Sequence, residues 1–353
     1  MTSSGGPAPV LVVDIGNTLL IRDRPGAFHR AMAAVTGRGV AWEDAYDPVA
    51  RAVLTGASAA EAAATIDAAV AAGACSAVEQ ALLEADGEAS VAPGAVALLR
   101  AARAAGWRVV TATNAAAWVP PIPDEIADLV DDGISSAEVG AIKQDPQFWG
   151  HLRGRPGSDP RRMLVVGDDR NADVEVPRRA GLAALHIGPY RTIADVARLV
   201  EGVGPMPASA VGVVAGDATV WARETVVEAD NLASVVVRTT RFRCSVQTAA
   251  GRAPTSVVRR KSEAPAVVIP PGFDYQGLAW VVATPDRRPT AAPSDLQAAL
   301  EAEGISSVLD RMVEHERRHL ISMVREAKNR PTRGERIREA VAHLWDYSRA
   351  SDG

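Results

Sequence analysis

The sequence predicts an α/β protein built on a doubly wound parallel sheet, followed by a β-rich segment and a helical C-terminal unit. Three observations predict it. Apolar, β-branched runs alternate with Ala-rich helical stretches as far as about residue 203. Several of those runs stop abruptly at polar residues, as buried parallel strands do at their carboxyl edge. The pattern then changes after the linker-like string Gly204-Pro205-Met206-Pro207.

Taken in order, residues 1–8 read as a tail and residues 9–14 as the first strand, which presents Asp14 at its end. Residues 20–90 are Ala-rich with helical periodicity, broken weakly at Gly37 to Gly39 and Thr55 to Ser58, and read as a small helical insert. Ala92-Pro93-Gly94 opens a helix that ends at Gly106, and Trp107 to Thr113 is a second buried strand running into Asn114. Val130 to Gly140 leads to Ile142-Lys143-Gln144-Asp145-Pro146, and Arg162 to Gly167 is a strand ending in Asp168-Asp169. Arg178 to Gly181 closes a helix, Leu182 to Ile187 is a further strand, and Thr192 to Val203 is a helix. Right-handed crossovers would then bring polar clusters around Asp14, Thr113, Lys143 and Asp168 to one sheet edge. Residues 208–288 are expected to be β-rich, with β-branched runs at Val211 to Val214, Ser234 to Thr239, Ala266 to Ile269 and Leu278 to Ala283. Residues 289–350 read as helical, capped by Ser294 or Asp295, with Leu296, Ala299 and Leu300 on one face.

A chain of 353 residues is long enough for two or three cores. A net charge of -5 lacks the basic bias that nucleic-acid binding calls for. The two cysteines, Cys75 and Cys244, have no partner spacing, which argues against a disulfide framework or a Cys-based zinc site. The N-terminus has no basic-then-apolar pattern and no apolar run reaches spanning length, so a cytoplasmic protein without membrane or nucleic-acid partners is expected.

Four segments carry the chemistry: Asp14-Ile15-Gly16-Asn17-Thr18, Thr113-Asn114, Lys143 with Asp145-Pro146, and Gly167-Asp168-Asp169 with Asp173. Each residue alone also reads as a turn or helix cap. In this order and at these strand ends, however, they resemble the motifs of the haloacid dehalogenase-like (HAD) superfamily, most of whose members are Mg2+-dependent phosphatases, and the resemblance spans residues 9–203. It implies a Rossmann-like sheet with a helical cap at residues 20–90. Asp14 would be the nucleophile that takes up a phosphoryl group, with Thr113 and Lys143 as further catalytic groups. Asn17, Thr18 and Asn114 would contact the substrate. The metal site for Mg2+ would comprise Asp14, the Gly16 carbonyl and Asp168, with Asp169 and Asp173 in or just behind the ligand set, and the partner would be a small phosphorylated metabolite. The chemistry agrees with this: attack on an anionic phosphate needs a nucleophile, a cation to cancel repulsion, and donors for the equatorial oxygens.

One role stays empty. In the family pattern a second Asp protonates the leaving oxygen, and here that position is Gly16. General acid catalysis contributes about 10²- to 10⁴-fold. The substrate would therefore be one whose leaving group needs little help, such as an anomeric or acyl phosphate. Some sugar-phosphate phosphatases of the superfamily resemble this chain in carrying Asp-x-Gly-Asn. Dehalogenase members also lack the second Asp but use no Mg2+, and the acidic cluster here favours the phosphatase. The alternative is a catalytically inert HAD-like protein that binds phosphate or a partner. Arg22, Arg24 and His29, just after the nucleophile, are candidate substrate contacts or solvated helix charges.

In the C-terminal part, His315-Glu316-Arg317-Arg318-His319 matches the zinc-protease pattern, yet two Arg beside a cation site and a wet amphipathic helix favour a charged surface helix. Pro293-x-Asp295-Leu296-x-x-Ala299-Leu300, Glu326-Ala327-Lys328 and Thr332-Arg333-x-x-Arg336-Ile337 are similar to the C-terminal region of the bacterial YdeI/OmpD-associated family over residues 290–345. The resemblance implies a binding or stress-related module. Its Arg325, Lys328, Arg330, Arg333 and Arg336 are either an anion- or protein-binding face or, with the interleaved Glu residues, a salt-bridged helix.

Overall fold

Val10–Val13 forms β1, buried along its whole length, at the centre of a five-stranded parallel sheet. On one side lie β4 (Arg108–Thr113) and β5 (Asp132–Ser135); on the other lie β6 (Met163–Gly167) and β7 (Ala183–His186). The order is β5-β4-β1-β6-β7, so the strand order reverses at β1, and the crevice at its carboxyl end is where such sheets bind ligands. Burial on both faces follows from side-chain alternation. Leu11 and Val13 pack toward α6 (Ala95–Ala104) and α11 (Ile193–Val203), and Val10 and Val12 pack toward Phe148 and Trp149 of α9 (Pro146–Arg153). The computed structural model describes residues 7–37, 40–70, 73–87, 89–233, 242–259, 264–285, 291–327 and 329–351.

The helical insert is present as α1 (Arg24–Thr36), α2 (Trp42–Ala45), α3 (Asp47–Leu54), α4 (Ala59–Val70) and α5 (Cys75–Gly87). They bury their own core around Phe28, Met32, Val53, Ile66 and Leu82. The two chain passages that enter and leave the insert pair as the antiparallel strands β2 (Leu20–Ile21) and β3 (Ser90–Val91). A cap anchored by one short ribbon has a base fixed to the sheet and a body free to carry its own residues over the strand ends.

Beyond α11 lie two antiparallel four-stranded sheets. One has β8 (Ala210–Ala215) beside β15 (Leu278–Pro285), then β11 (Phe242–Thr248) and β12 (Gly251–Thr255); the other runs β13 (Val257–Arg259), β14 (Pro265–Val268), β10 (Glu224–Glu228), β9 (Thr219–Trp221). β15 is buried on both faces. Ala279 and Val281 fill the space between the two sheets, whereas Leu278, Trp280 and Val282 join the core of the parallel sheet through α11. The Trp280 indole stacks on Trp107 at 5.1 Å and donates to the Gly204 carbonyl at 3.1 Å. Gly204-Pro205-Met206-Pro207, read from sequence as a domain linker, is thus a turn between layers that share one core. Met1–Pro285 is one compact unit and Asp286–Gly353 a second. The expected strand at Ser234 to Thr239 lies outside the described residues.

In the second unit α12 (Ser294–Ala302), α13 (Ser306–Arg311), α14 (Glu314–Arg325) and α15 (Arg330–Ser351) bury Leu296, Leu300, Leu309, Ile321, Val324 and Leu344. Three of its arginines bond to main-chain carbonyls of the same unit. Arg333 grips Asp295 with two bonds, at 2.5 and 2.9 Å, and also donates to the Val324 carbonyl. Arg336 donates to the Met323 carbonyl and Arg325 to that of Ala291. These three side chains satisfy backbone carbonyls, two of them at the end of α14, while Arg330 is exposed. Lys328 lies outside the described residues, as does the side chain of His315. Among the described residues no helix is long and apolar enough to cross a membrane.

Candidate active site

Asp14 directly follows β1, and its N–H donates to the Val166 carbonyl of β6 at 2.9 Å, which ties the carboxylate to the strand that ends in Asp168. The chain then turns back at once. Leu19 and Leu20 both donate to the Ile15 carbonyl, Asn17 donates to the Leu20 carbonyl, and Asn17 takes φ +53°. Asn tolerates the left-handed region better than most residues, so part of the reason for Asn17 is backbone geometry. It also lines the cavity beside the site, together with Gly16, Thr113 and Asn114. Thr18 does not line it: it is fully buried, with a hydroxyl that finds no hydrogen-bond partner.

Lys143 reaches this strand end from the turn before α9. Its backbone N–H donates to Oδ1 of Asn114 at 2.8 Å, and its carbonyl accepts from the Trp149 indole at 2.7 Å. The main chain on both sides of the ammonium is therefore pinned. The side chain, 4 % exposed, extends to Oδ1 of Asp14 at 2.5 Å and Oδ1 of Asp173 at 2.7 Å. Burial alone would push the ammonium down; the two carboxylates outweigh it and hold it above its ordinary value. Burial pushes the Asp14 carboxyl up to about 7, Lys143 opposing and Asp173 and Asp168 adding to the rise. Asp173 is likewise raised by burial against the pull of Lys143.

Both oxygens of Asp173 are held by protein donors, Oδ1 by Lys143 and Oδ2 by the Asp169 N–H at 3.1 Å. Its first task here is to fix Lys143. Gly167 is what lets it do so: a Cβ at residue 167 would lie 2.3 Å from the Asp173 carboxylate, so the Gly of Gly167-Asp168 is a packing requirement. Asp169 departs from the expectation of a metal ligand. Exposed, it caps the π-helical turn Arg170–Glu175 by accepting from the N–H groups of Asn171 and Ala172, because an Asp just before a helical turn satisfies donors that have no other partner.

Asp14, Asp168 and Asp173 each offer a carboxylate oxygen within 4.8 Å of the others, the one such cluster of metal-binding side chains among the described residues. The donor set suits Mg2+: all oxygen, and close to the span of about 4 Å between opposite ligands of an octahedral Mg2+ shell. Charge points the same way, since three carboxyl groups against one ammonium leave a negative surplus once they are ionised. Asp14 and Asp168 could hold such a cation, with Asp173 able to join through its spare lone pairs, and Gly16 follows Asp14 by two residues.

Two contributors escape the motif reading. Gln144 accepts from the Asn114 side chain at 2.9 Å and so braces the residue that positions Lys143. His186, at the end of β7, bonds through Nε2 to the Asp168 carbonyl at 2.8 Å. Its signal was available, because the strand-end rule that singles out Asp14 applies equally to a His closing Leu182 to Ile187. Gly16, by contrast, needs no glycine: its φ is not positive and a Cβ there would meet nothing within 4 Å.

Among curated proteins none matches the chain. Among solved structures, a 2-haloacid dehalogenase from Pseudomonas syringae is similar at 18% identity over 52% of this chain and 87% of that one, with a TM-score of 0.40. A HAD family enzyme from Bacteroides thetaiotaomicron in complex with magnesium is similar at 16% identity over 51% of this chain and 92% of that one, TM-score 0.42. The HAD-hydrolase YfnB from Bacillus subtilis bound to magnesium is similar at 18% identity over 53% and 92% respectively, TM-score 0.40. Residues 9–181 match the haloacid dehalogenase-like hydrolase family in sequence, and those residues carry the strand-end constellation around Asp14, so this part of the chain is a haloacid dehalogenase-like hydrolase domain.

Proposed function

We propose that the protein is a Mg2+-dependent phosphatase acting on a small phosphorylated metabolite through an aspartyl-phosphate on Asp14. The observation that carries this reading is the buried Asp14-Lys143-Asp173 chain beside Asp168, a carboxylate cluster with surplus negative charge. A dehalogenation needs no such surplus, whereas Mg2+, when bound, would cancel the repulsion between Asp14 and an incoming phosphate. Asp14 attacks phosphorus as the bond to the leaving oxygen breaks. The leaving group departs as an oxyanion and takes its proton from solvent, because Gly16 has none to give. Lys143 holds the Asp14 carboxylate in line, and Thr113 offers a hydroxyl to the transferring group. Water then attacks the phosphorus of the phosphoaspartate, which releases inorganic phosphate and restores Asp14.

A metabolite panel assayed for phosphate release with Mg2+ tests this, with Asp14→Asn as control. Release that depends on both Mg2+ and Asp14 is the expected result, and release that persists in Asp14→Asn overturns it. Gly16 favours a second reading, a HAD-like domain that binds phosphate without turnover, leaving the function to a YdeI-like module at residues 289–350. The Asp295–Arg333 pair, which joins the two ends of the sequence pattern behind that resemblance, supports the module. Phosphate release that is lost in Asp14→Asn counts against this second reading.

A further inference from the structure

The cavity that opens beside Asp14 has a volume of about 610 Å³, of a size that holds a small metabolite, and the cap contributes to its lining. Two of its features bear on the substrate. Trp42 and Tyr46 form a stacked aromatic pair, ring centroids 4.0 Å apart and planes within 20°, and both line the cavity. Arg22 and Arg24 line it as well, but their circumstances differ. Arg24 pairs with the buried Asp86, which also accepts from the Trp118 indole at 2.9 Å. Arg22 has no carboxylate partner among the described residues, and its Nε is buried without a hydrogen bond. Two guanidiniums thus share one carboxylate. Burial and the charge of Arg24 lower the affinity of Arg22 for its proton, the expected response of a cation that lacks a counter-ion.

A half-buried guanidinium facing a cavity with no anion opposite is costly unless an anion arrives. The acid among the lining residues, Glu138, is already used by Arg155 and by the cap of the helical turn Ser136–Val139. We propose that Arg22 binds an anionic group on the leaving portion of the substrate, whose apolar or planar body lies against Trp42 and Tyr46. The substrate class is then a phosphate ester or anhydride with a second negative charge, a carboxylate or a further phosphate, on its leaving group. This rests on the phosphatase reading for where the phosphate sits. It also agrees with Gly16, since binding energy gathered at Arg22 can position a leaving group that the enzyme does not protonate.

The test uses the full chain and matched aryl phosphates: 4-carboxyphenyl phosphate, 4-phosphonophenyl phosphate and the uncharged 4-carbamoylphenyl phosphate. The expected kcat/KM for a charged member exceeds that for the carbamoyl compound by about 10- to 100-fold, the range of one charge-assisted hydrogen bond. Whichever charged member is preferred identifies the anion. In Arg22→Met, which keeps the apolar stem, the preference falls toward one, mainly through KM, and in Arg22→Lys it returns in part. A wild-type preference near one, or one retained in Arg22→Met, overturns the proposal. If no compound is turned over, binding decides for the subsite, and the metabolite panel decides separately for the phosphatase reading. Calorimetric titration of 4-carboxyphenyl phosphate into Asp14→Asn should then give a Kd about 10- to 100-fold tighter than into Asp14→Asn/Arg22→Met, and equal values sink the subsite.

Discussion

Two cation–carboxylate clusters can be compared within this chain, Lys143 between Asp14 and Asp173 in the parallel-sheet unit and Arg333 on Asp295 in the C-terminal helical unit. Both are short, both join residues far apart in sequence, and both were visible as motif pieces. They differ in solvent. The side chains of the first are 4, 6 and 1 % exposed; those of the second are 30 and 43 % exposed. With its side chains partly in water, the Arg–Asp pair has its attraction screened, and its two-bond geometry serves as a local clip. Out of water the same kind of contact shifts proton affinities, leaves unneutralised charge and calls for a further cation. Burial of the charges, more than their pairing, separates a chemical site from a structural fastening.

The sharpest way to break this comparison is to remove the cation from each cluster. Lys143→Met leaves Asp14 and Asp173 buried and unpaired, and is expected to cost about 3–5 kcal/mol in denaturant unfolding and to abolish phosphate release. A variant that unfolds like the wild type would show the cluster to be better solvated than its geometry implies. Gly167→Ala acts on the same cluster indirectly. The added methyl must displace the Asp173 carboxylate, so phosphate release is expected to fall by at least tenfold while the far-ultraviolet circular dichroism stays unchanged.

Proton linkage supplies a third comparison. The Asp14 carboxyl has a folded value of about 7 against an ordinary 3.8, so between these limits the folded chain keeps a proton that the unfolded chain releases. Metal-free protein is therefore expected to lose stability as pH rises from about 4 to about 7 and to level off above. Because Mg2+ binds the ionised carboxylates, the rise in Tm that it produces should grow across the same window. A Mg2+ effect that is flat over this range would break the link between Asp14 and the cation. The smallest effect is expected at the exposed pair. Asp295→Asn should shift Tm only slightly, and less still at 1 M salt, where exposed charges are screened.

The legible parts of the fold are those in which burial writes a pattern. Val10 to Val13, Arg108 to Thr113, Met163 to Gly167 and Ala183 to His186 are strands because both faces are covered, which demands unbroken apolar, often β-branched residues. The edge strand Asp132–Ser135 carries Asp, Gly and Ser and gave no comparable signal. In the β-rich region β8, β14 and β15 were visible as apolar runs, whereas β11 and β12 alternate with Arg, Gln and Thr on an open face and were not. At the candidate site, residue types and strand ends brought Asp14, Lys143, Asp168 and Asp173 to attention. That Asp169 would cap a turn, Thr18 lie under the loop surface and Gln144 brace Asn114 depends on side-chain directions that spacing does not encode.

The stacking of Trp280 on Trp107 bears on how this protein can be divided. Trp107 stands at the entrance to β4, and Trp280 belongs to a strand more than 170 positions later that seals α11 on one side and the second antiparallel sheet on the other. A chain cut at Gly204 would leave α11 and the Trp107 indole facing water across an apolar surface that invites aggregation. The hydrolase family match ends at residue 181, but the smallest piece that keeps its core intact runs on to Pro285. The antiparallel layers behave as the missing outer wall of the α/β domain, and the two should melt together in one transition.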